Sequence, residues 1–210
     1  MPRYLTEQDI ADFRNELCRV ATERFARHGY EGVTMRQLAE ALGCSPKTPY
    51  RYFKDKADIL ATVRAQAFNR FAEALEKAAG SPGDPTGRGR AVIEAYLDFA
   101  LGNPHAYRIM FDIDAPIDAN HPELGPAADR AARFITSGAE RMAELGVIAA
   151  DPLMFGWSMW AAIHGTVMLH QAAMLKHGPD HREMLVFLAD TLVKGAGQSP
   201  AKAPRRRKKR

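Results

Sequence analysis

The sequence predicts an all-α protein. Nearly every segment repeats its apolar residues at steps of three and four, no stretch alternates apolar and polar residues long enough for a strand, and the breaks fall at Gly and Pro. With 210 residues, 46% of them hydrophobic and 26% charged, the chain can bury a sizeable core, which excludes wholesale disorder and fibrous repeats.

The first helix runs from about Thr6 to His28, where Ile10, Phe13, Leu17, Val20, Ala21 and Phe25 form one stripe and Gly29 supplies the stop. Thr34-Met35-Arg36-Gln37 reads as a capping box, so a short helix should extend to Leu42 and end at Gly43. Ser45 then caps a second short helix with Pro46 at its first position, where the missing N–H costs nothing. A long helix follows from about Lys56 to Ala79, carrying Leu60, Val63, Ala67, Phe71 and Leu75, and the Gly80–Pro85 stretch breaks it. Further helices are expected at about Arg88–Leu101, Pro104–Ile113, Pro122–Leu145, Pro152–Lys176 and Asp180–Lys194. Ala115-Pro116, Gly146, Asp151-Pro152 and Gly178-Pro179 are among the breaks.

Charge is distributed unevenly. The formal net charge is +4, yet Lys202, Arg205, Arg206, Arg207, Lys208, Lys209 and Arg210 alone carry seven positive charges, which leaves the rest at −3. The tail from Gln198 is Pro-rich and basic, has little to bury and is expected to be disordered. A nucleic-acid-binding face must therefore be sought locally. Between Gly43 and Lys56, Lys47, Arg51, Lys54 and Lys56 oppose only Asp55.

Cys18 and Cys44 fit no metal-ligand spacing, which predicts reduced thiols, no structural zinc and a cytoplasmic protein. Met1–Tyr30 lacks the apolar stretch and small-residue cleavage site of an export signal. Pro152–Leu175 has no charged residue over 24 positions, long enough in principle to cross ~30 Å of hydrocarbon. Ser158, His164, Thr166, His170 and Gln171 argue against a span. A helix apolar on nearly all faces is otherwise central, packed by its own domain on one side and by a second subunit on the other.

Thr34–Phe53 carries the signals of a helix-turn-helix: a capped helix, a turn at Gly43-Cys44-Ser45, and a second capped element that could enter the major groove. The same spacing also suits an ordinary αα-hairpin with solvated charges. The string Gly32-Val33-Thr34-Met35-Arg36-Gln37-Leu38-Ala39-Glu40-Ala41-Leu42-Gly43, continued from Ser45-Pro46-Lys47-Thr48-Pro49-Tyr50-Arg51-Tyr52-Phe53 to Leu60, resembles the DNA-binding signature of TetR-family transcriptional regulators.

The resemblance implies a helix-turn-helix DNA-binding domain over 1–55, a helical ligand-binding and dimerisation domain over 56–197, and a basic tail over 198–210. Its implied partners are a palindromic double-stranded operator, a second copy of the chain and a hydrophobic or aromatic small-molecule effector. The implied activity is repression relieved by that effector, the alternative being an activator or architectural DNA binder without small-molecule control. On the matching positions, Thr34 and Ser45 cap helices and contact phosphate, Lys47, Thr48 and Arg51 face bases or flanking phosphates, and Tyr50 and Tyr52 anchor the DNA backbone. Arg36 is a further contact, Lys56 a phosphate-binding lysine at a helix N-terminus, and Leu38, Leu42 and Phe53 are core. Pro49 departs from the commonest family pattern. It removes the bond back to the Ser45 carbonyl and disfavours helical geometry at Thr48.

Trp160-Ala161-Ala162-Ile163-His164-Gly165, with Asn103–Phe111 upstream, resembles the TetR subgroup whose C-terminal domain bears a Trp, His-Gly signature. Helix packing accounts equally for Trp160 and His164. The family's cavity suggests Phe71, Tyr96, Phe99, Tyr107, Met110, Phe111, Phe134, Trp160, His164 and Met168 as chamber candidates, though each alone reads as core. No nucleophile elbow, phosphate-cradling loop or carboxylate pair points to an enzyme, and no cofactor is implied. His170, His177 and His181 are broken up by Gly178-Pro179, which argues against a metal site.

Overall fold

The computed structural model describes residues 6–112 and 121–197, with the backbone alone at 85 and 86. The basic tail and the Ala115-Pro116 break lie outside the described residues. Among them are α1 (Glu7–His28), α2 (Met35–Ala41), a 3₁₀ turn (Pro49–Arg51), α3 (Lys56–Ala79), α4 (Pro85–Gly102), α5 (Pro104–Met110), α6 (Leu124–Glu144), α7 (Pro152–Gln171) and α8 (His181–Ala196), with no strand. They fall into two compact units, Met1–Leu75 with Asp98–Ala131, and Glu76–Leu97 with Ala132–Arg210.

In the first unit, α1 opens on a capping box. The Thr6 hydroxyl accepts from the Asp9 N–H at 3.1 Å while the Asp9 carboxylate accepts from the Thr6 N–H at 2.9 Å. The predicted stripe then does its work: Leu17, Val20, Ala21 and Phe25 are buried with Val33, Met35, Leu38, Phe53, Ile59, Leu60 and Val63 in one core. Ile109 of α5 enters the same core, and α5 packs on α1. Burial on this scale is worth about 1.5–3 kcal/mol per large side chain and outweighs any local propensity. A second cluster joins α3 to α6 through Ala61, Ala65, Leu124 and Ala127, small residues that let two backbones approach.

In the second unit, Ala139, Ile148, Phe155 and Ala196 form one core cluster, flanked by Met142, Met159, Leu192 and Val193. The Ala149 and Ala150 N–H groups donate to the Ala196 carbonyl at 2.7 and 3.0 Å and so close the C-terminus of α8. At Gly156 the α7 backbone meets α6 so closely that a Cβ there would lie 2.1 Å from the Ile135 carbonyl oxygen. Asp151 and Asp180 cap α7 and α8, and the two N–H bonds from Glu183 and Arg182 hold the Asp180 carboxyl below its ordinary value.

Two expectations are corrected. The second element of the motif is no α-helix, because Pro49 has no N–H for the Ser45 carbonyl. That carbonyl instead accepts from Thr48 at 2.8 Å, and the chain continues as tight turns with Arg51 donating to Thr48 and Tyr52 to Pro49, each at 3.0 Å. Thr48 nevertheless adopts helical φ −61°, ψ −46°, so the pre-proline preference is overridden locally. The second correction is α7, which ends at Gln171 rather than Lys176. Ala173 takes a left-handed φ of 56°, and its N–H and that of Met174 bond back to His170 and Leu169 in a Schellman closure. No helix among the described residues is long and apolar enough to cross a membrane.

Candidate nucleic-acid interface

Each part of the site has a local cause. The Thr34 hydroxyl accepts from the Gln37 N–H at 3.3 Å, and the Gln37 side-chain oxygen accepts from the Thr34 N–H at 2.8 Å, as the capping box requires. α2 then ends in a Schellman motif, Gly43 N–H to Glu40 and Cys44 N–H to Ala39, each at 3.0 Å. The motif needs a left-handed residue, and Gly43 supplies φ 63° without a Cβ penalty. Chain direction therefore reverses within three residues, and the Ser45–Tyr52 segment emerges over the core.

Pro49 and Phe53 are buried under this segment, while Tyr50 is 56% exposed. Arg36, Lys47, Arg51 and Lys54 are exposed as well, and their charged groups make no hydrogen bond or ion pair among the described residues. Thr34 and Ser45 are exposed and Thr48 is half-buried. Ser45 caps weakly, its hydroxyl accepting from Lys47 N–H at 3.4 Å.

Two predicted contacts sit differently. The Tyr52 ring stacks on Phe13 with centroids 4.4 Å apart, so it faces the bundle. Lys56 turns inward: its Nζ donates to the Tyr30 carbonyl at 2.7 Å, lies 3.9 Å from the centre of the Tyr30 ring and stands 4.0 Å from the Glu31 carboxylate. Burial, then the charges of Asp55 and Glu31, push the Tyr30 phenol up and keep it neutral. At the α3 N-terminus the Asp55 carboxylate accepts from the Asp58 N–H at 2.9 Å.

Sequence reading missed Arg14. This α1 side chain donates to the Tyr52 carbonyl and lies over the Phe53 ring, 4.1 Å from its centre, clamping the end of the exposed segment. A bond to a backbone carbonyl 38 residues away has no sequence signature. The Asp55 cap was open to detection, since Asp just before a helical period is a start signal.

The chamber candidates divide between the units. Phe71, Phe99, Tyr107, Met110 and Phe111 belong to the first, where Phe71 packs on Phe99 at 5.1 Å and Tyr107 on Phe111 at 5.0 Å. In the second, Tyr96 is buried, Phe134 is half-buried, and Trp160 stacks over His164 at 5.1 Å. Burial depresses the His164 imidazole below its ordinary value. Met168 is 44% exposed and stands on the outer stripe of α7.

A capped helix, a Schellman reversal and a cationic turn seated on a shared core define a helix-turn-helix domain. Residues 17–63 match bacterial regulatory proteins of the tetR family, and residues 89–192 match the tetracyclin repressor-like C-terminal domain, a stretch that includes Trp160–Gly165. The chain belongs to the TetR family. It is 28% identical over 101 residues to the transcriptional activator FasR of Mycolicibacterium smegmatis, covering 48% of this chain and 46% of that one. It is 36% identical over 64 residues to the transcriptional repressor AcnR of Corynebacterium glutamicum, covering 30% and 34%. The chain thus spans less than half the length of these curated relatives. In fold it is similar to a Rhodococcus sp. RHA1 protein of unknown function, at a TM-score of 0.76 and 24% identity over 94% of this chain and 100% of that one. It is also similar to the TetR-family regulator PfmR of Thermus thermophilus, at 0.69 and 22% over 85% and 97%.

Proposed function

We propose that the chain is a cytoplasmic, homodimeric, sequence-specific transcriptional regulator that represses from a palindromic operator and is released by an apolar small molecule. The observation that carries the reading is the exposed segment: Arg36, Lys47, Arg51, Lys54 and Tyr50 face outward, unpaired among the described residues, above a closed apolar core. Unpaired cations on a rigid surface suit phosphate and base edges, because no internal ion pair has to break on binding. Thr34, Ser45 and Tyr50 hold the DNA backbone in this reading, and Arg36, Lys47, Thr48 and Arg51 read or flank the bases. Lys56 and Tyr52 position the surface from behind. Residues 1–55 form the DNA-binding domain and 56–197 the effector and dimerisation domain, while the basic tail adds sequence-independent affinity.

Self-association is supported by the outer stripe of α7, Met154, Trp157, Ala161 and Met168, beside Val186 and Phe187 of α8, a helix packed against α7. Phe187 is 70% and Met154 67% exposed, apolar surface that a second subunit would cover. The repressive sign is open to reversal, since one relative is named an activator and another a repressor. Selection from a random duplex pool tests the core of the proposal. A palindrome with half-sites ~34–36 Å apart is expected. Lys47→Gln should then cost ~1–3 kcal/mol of discrimination at one base position while Tyr50→Ala weakens all sequences alike. Recovery of no preferred duplex overturns it. By linkage, an effector that weakens operator binding roughly 5–150-fold must be weakened by operator to the same degree, about 1–3 kcal/mol.

A further inference from the structure

We propose that a polar cleft in the first unit, between α1, α3 and the α4–α5 junction, binds a small carboxylate-bearing metabolite and that its occupancy tunes DNA binding. The cleft holds about 590 Å³ and contains none of the ten aromatic, sulfur-bearing and polar candidates for the apolar chamber. That volume lies within the usual range for small-molecule sites, roughly 300–1,000 Å³.

Its lining is rich in uncommitted donors. Arg70 and His105 make no hydrogen bond or ion pair among the described residues, nor does the Asn15 carboxamide. The Asn69 side-chain oxygen accepts from Arg130 at 3.3 Å, which leaves its amide N–H groups for another acceptor. The one carboxylate in the lining, Glu23, is already bound to Arg19 at 2.8 Å, and Arg19 also reaches Glu16 at 2.7 Å. At the floor, burial pushes the Cys18 thiol up to about 11, so it stays protonated and adds no negative charge. The cleft offers amide groups that can donate or accept, but its one carboxylate is paired with Arg19 while Arg70 has no ion-pair partner among the described residues, so a ligand carboxylate supplies the charge that Arg70 complements bidentately.

Position gives the site leverage. The cleft runs along the Asn15–Glu23 stretch of α1 and ends at Pro104–Ala106, the first turn of α5. Those two helices share the core that seats the exposed turn, through Leu17, Ala21, Phe25 and Ile109. A ligand bridging Asn15 to Arg70 and His105 therefore fixes the spacing of α1 from α3 and α5. This regulatory half rests on the DNA-binding reading above, whereas binding itself does not.

Calorimetry of the full chain with succinate, and with its neutral isostere succinamide, tests the site. Succinate should bind once per chain and succinamide should not. Arg70→Gln, at a position with no partner among the described residues, should keep the fold by circular dichroism and weaken succinate about 10-fold, the scale of one charge-assisted contact. No succinate binding at about 20 mM, equal binding of succinamide, or unchanged affinity in Arg70→Gln overturns the proposal. With the selected operator, saturating succinate should change affinity at least about 5-fold. Binding without that change overturns the regulatory half and leaves the site. Failure to select any operator strikes the DNA-binding reading alone, because the succinate titration contains no DNA.

Discussion

The exposed turn over the first core and the outer stripe of α7 and α8 expose opposite chemistries. At the turn, apolar side chains are directed inward, at Pro49 and Phe53, and the surface is left to Arg36, Lys47, Arg51 and one tyrosine. On α7 and α8 the surface keeps Met154, Trp157 and Phe187, while α7 carries no Asp, Glu, Lys or Arg. The first arrangement suits a hydrated polyanion, the second a partner that excludes water. One chain thus separates two recognition tasks by what it declines to bury.

The largest effect is expected on the α7 side. Gly156→Ala places a methyl where a carbonyl oxygen already lies, and overpacking of this kind should cost about 3 kcal/mol in urea unfolding. An unchanged midpoint would show that α6 and α7 yield freely. Phe187→Asp sharpens the contrast instead. Sedimentation equilibrium should register loss of self-association worth roughly 2–4 kcal/mol, with helicity intact. Should the variant remain dimeric, the stripe faces something else.

Thr34→Ala acts at the other member. Loss of the cap should cost about 1 kcal/mol in stability, read by thermal denaturation, in addition to any phosphate contact. Ala173→Gly should work in the stabilising direction by about 0.5–1 kcal/mol, since the left-handed φ of 56° strains any residue with a Cβ. The smallest effect concerns pH. The unfolded chain protonates His164 near the ordinary 6.5, and the folded chain only at lower pH because burial disfavours the cation. Stability should accordingly fall as pH drops below 6.5 and level off beneath the folded value, and His164→Phe should flatten that limb.

Much of this was legible from residue order. The long helix α3 begins and ends where periodicity and the Gly80 break put it, and the Thr34 box has its predicted bonds. Reading failed where one missing donor outweighed a good cap signal: Ser45-Pro46 resembles a helix start, yet Pro49 diverts the Ser45 carbonyl and a single 3₁₀ turn results. Residue order was silent on the contacts of Lys56, whose place at a helix N-terminus says nothing of a tyrosine carbonyl 26 residues earlier. Local pattern specifies elements and caps, whereas the direction of a long side chain is decided by tertiary neighbours.

The crossing at Gly156 constrains motion as well as packing. With the α7 backbone seated against the Ile135 carbonyl, no side chain lies between the two helices at that point to cushion a slide or roll. α6 and α7 consequently have few independent degrees of freedom there and behave as one lever.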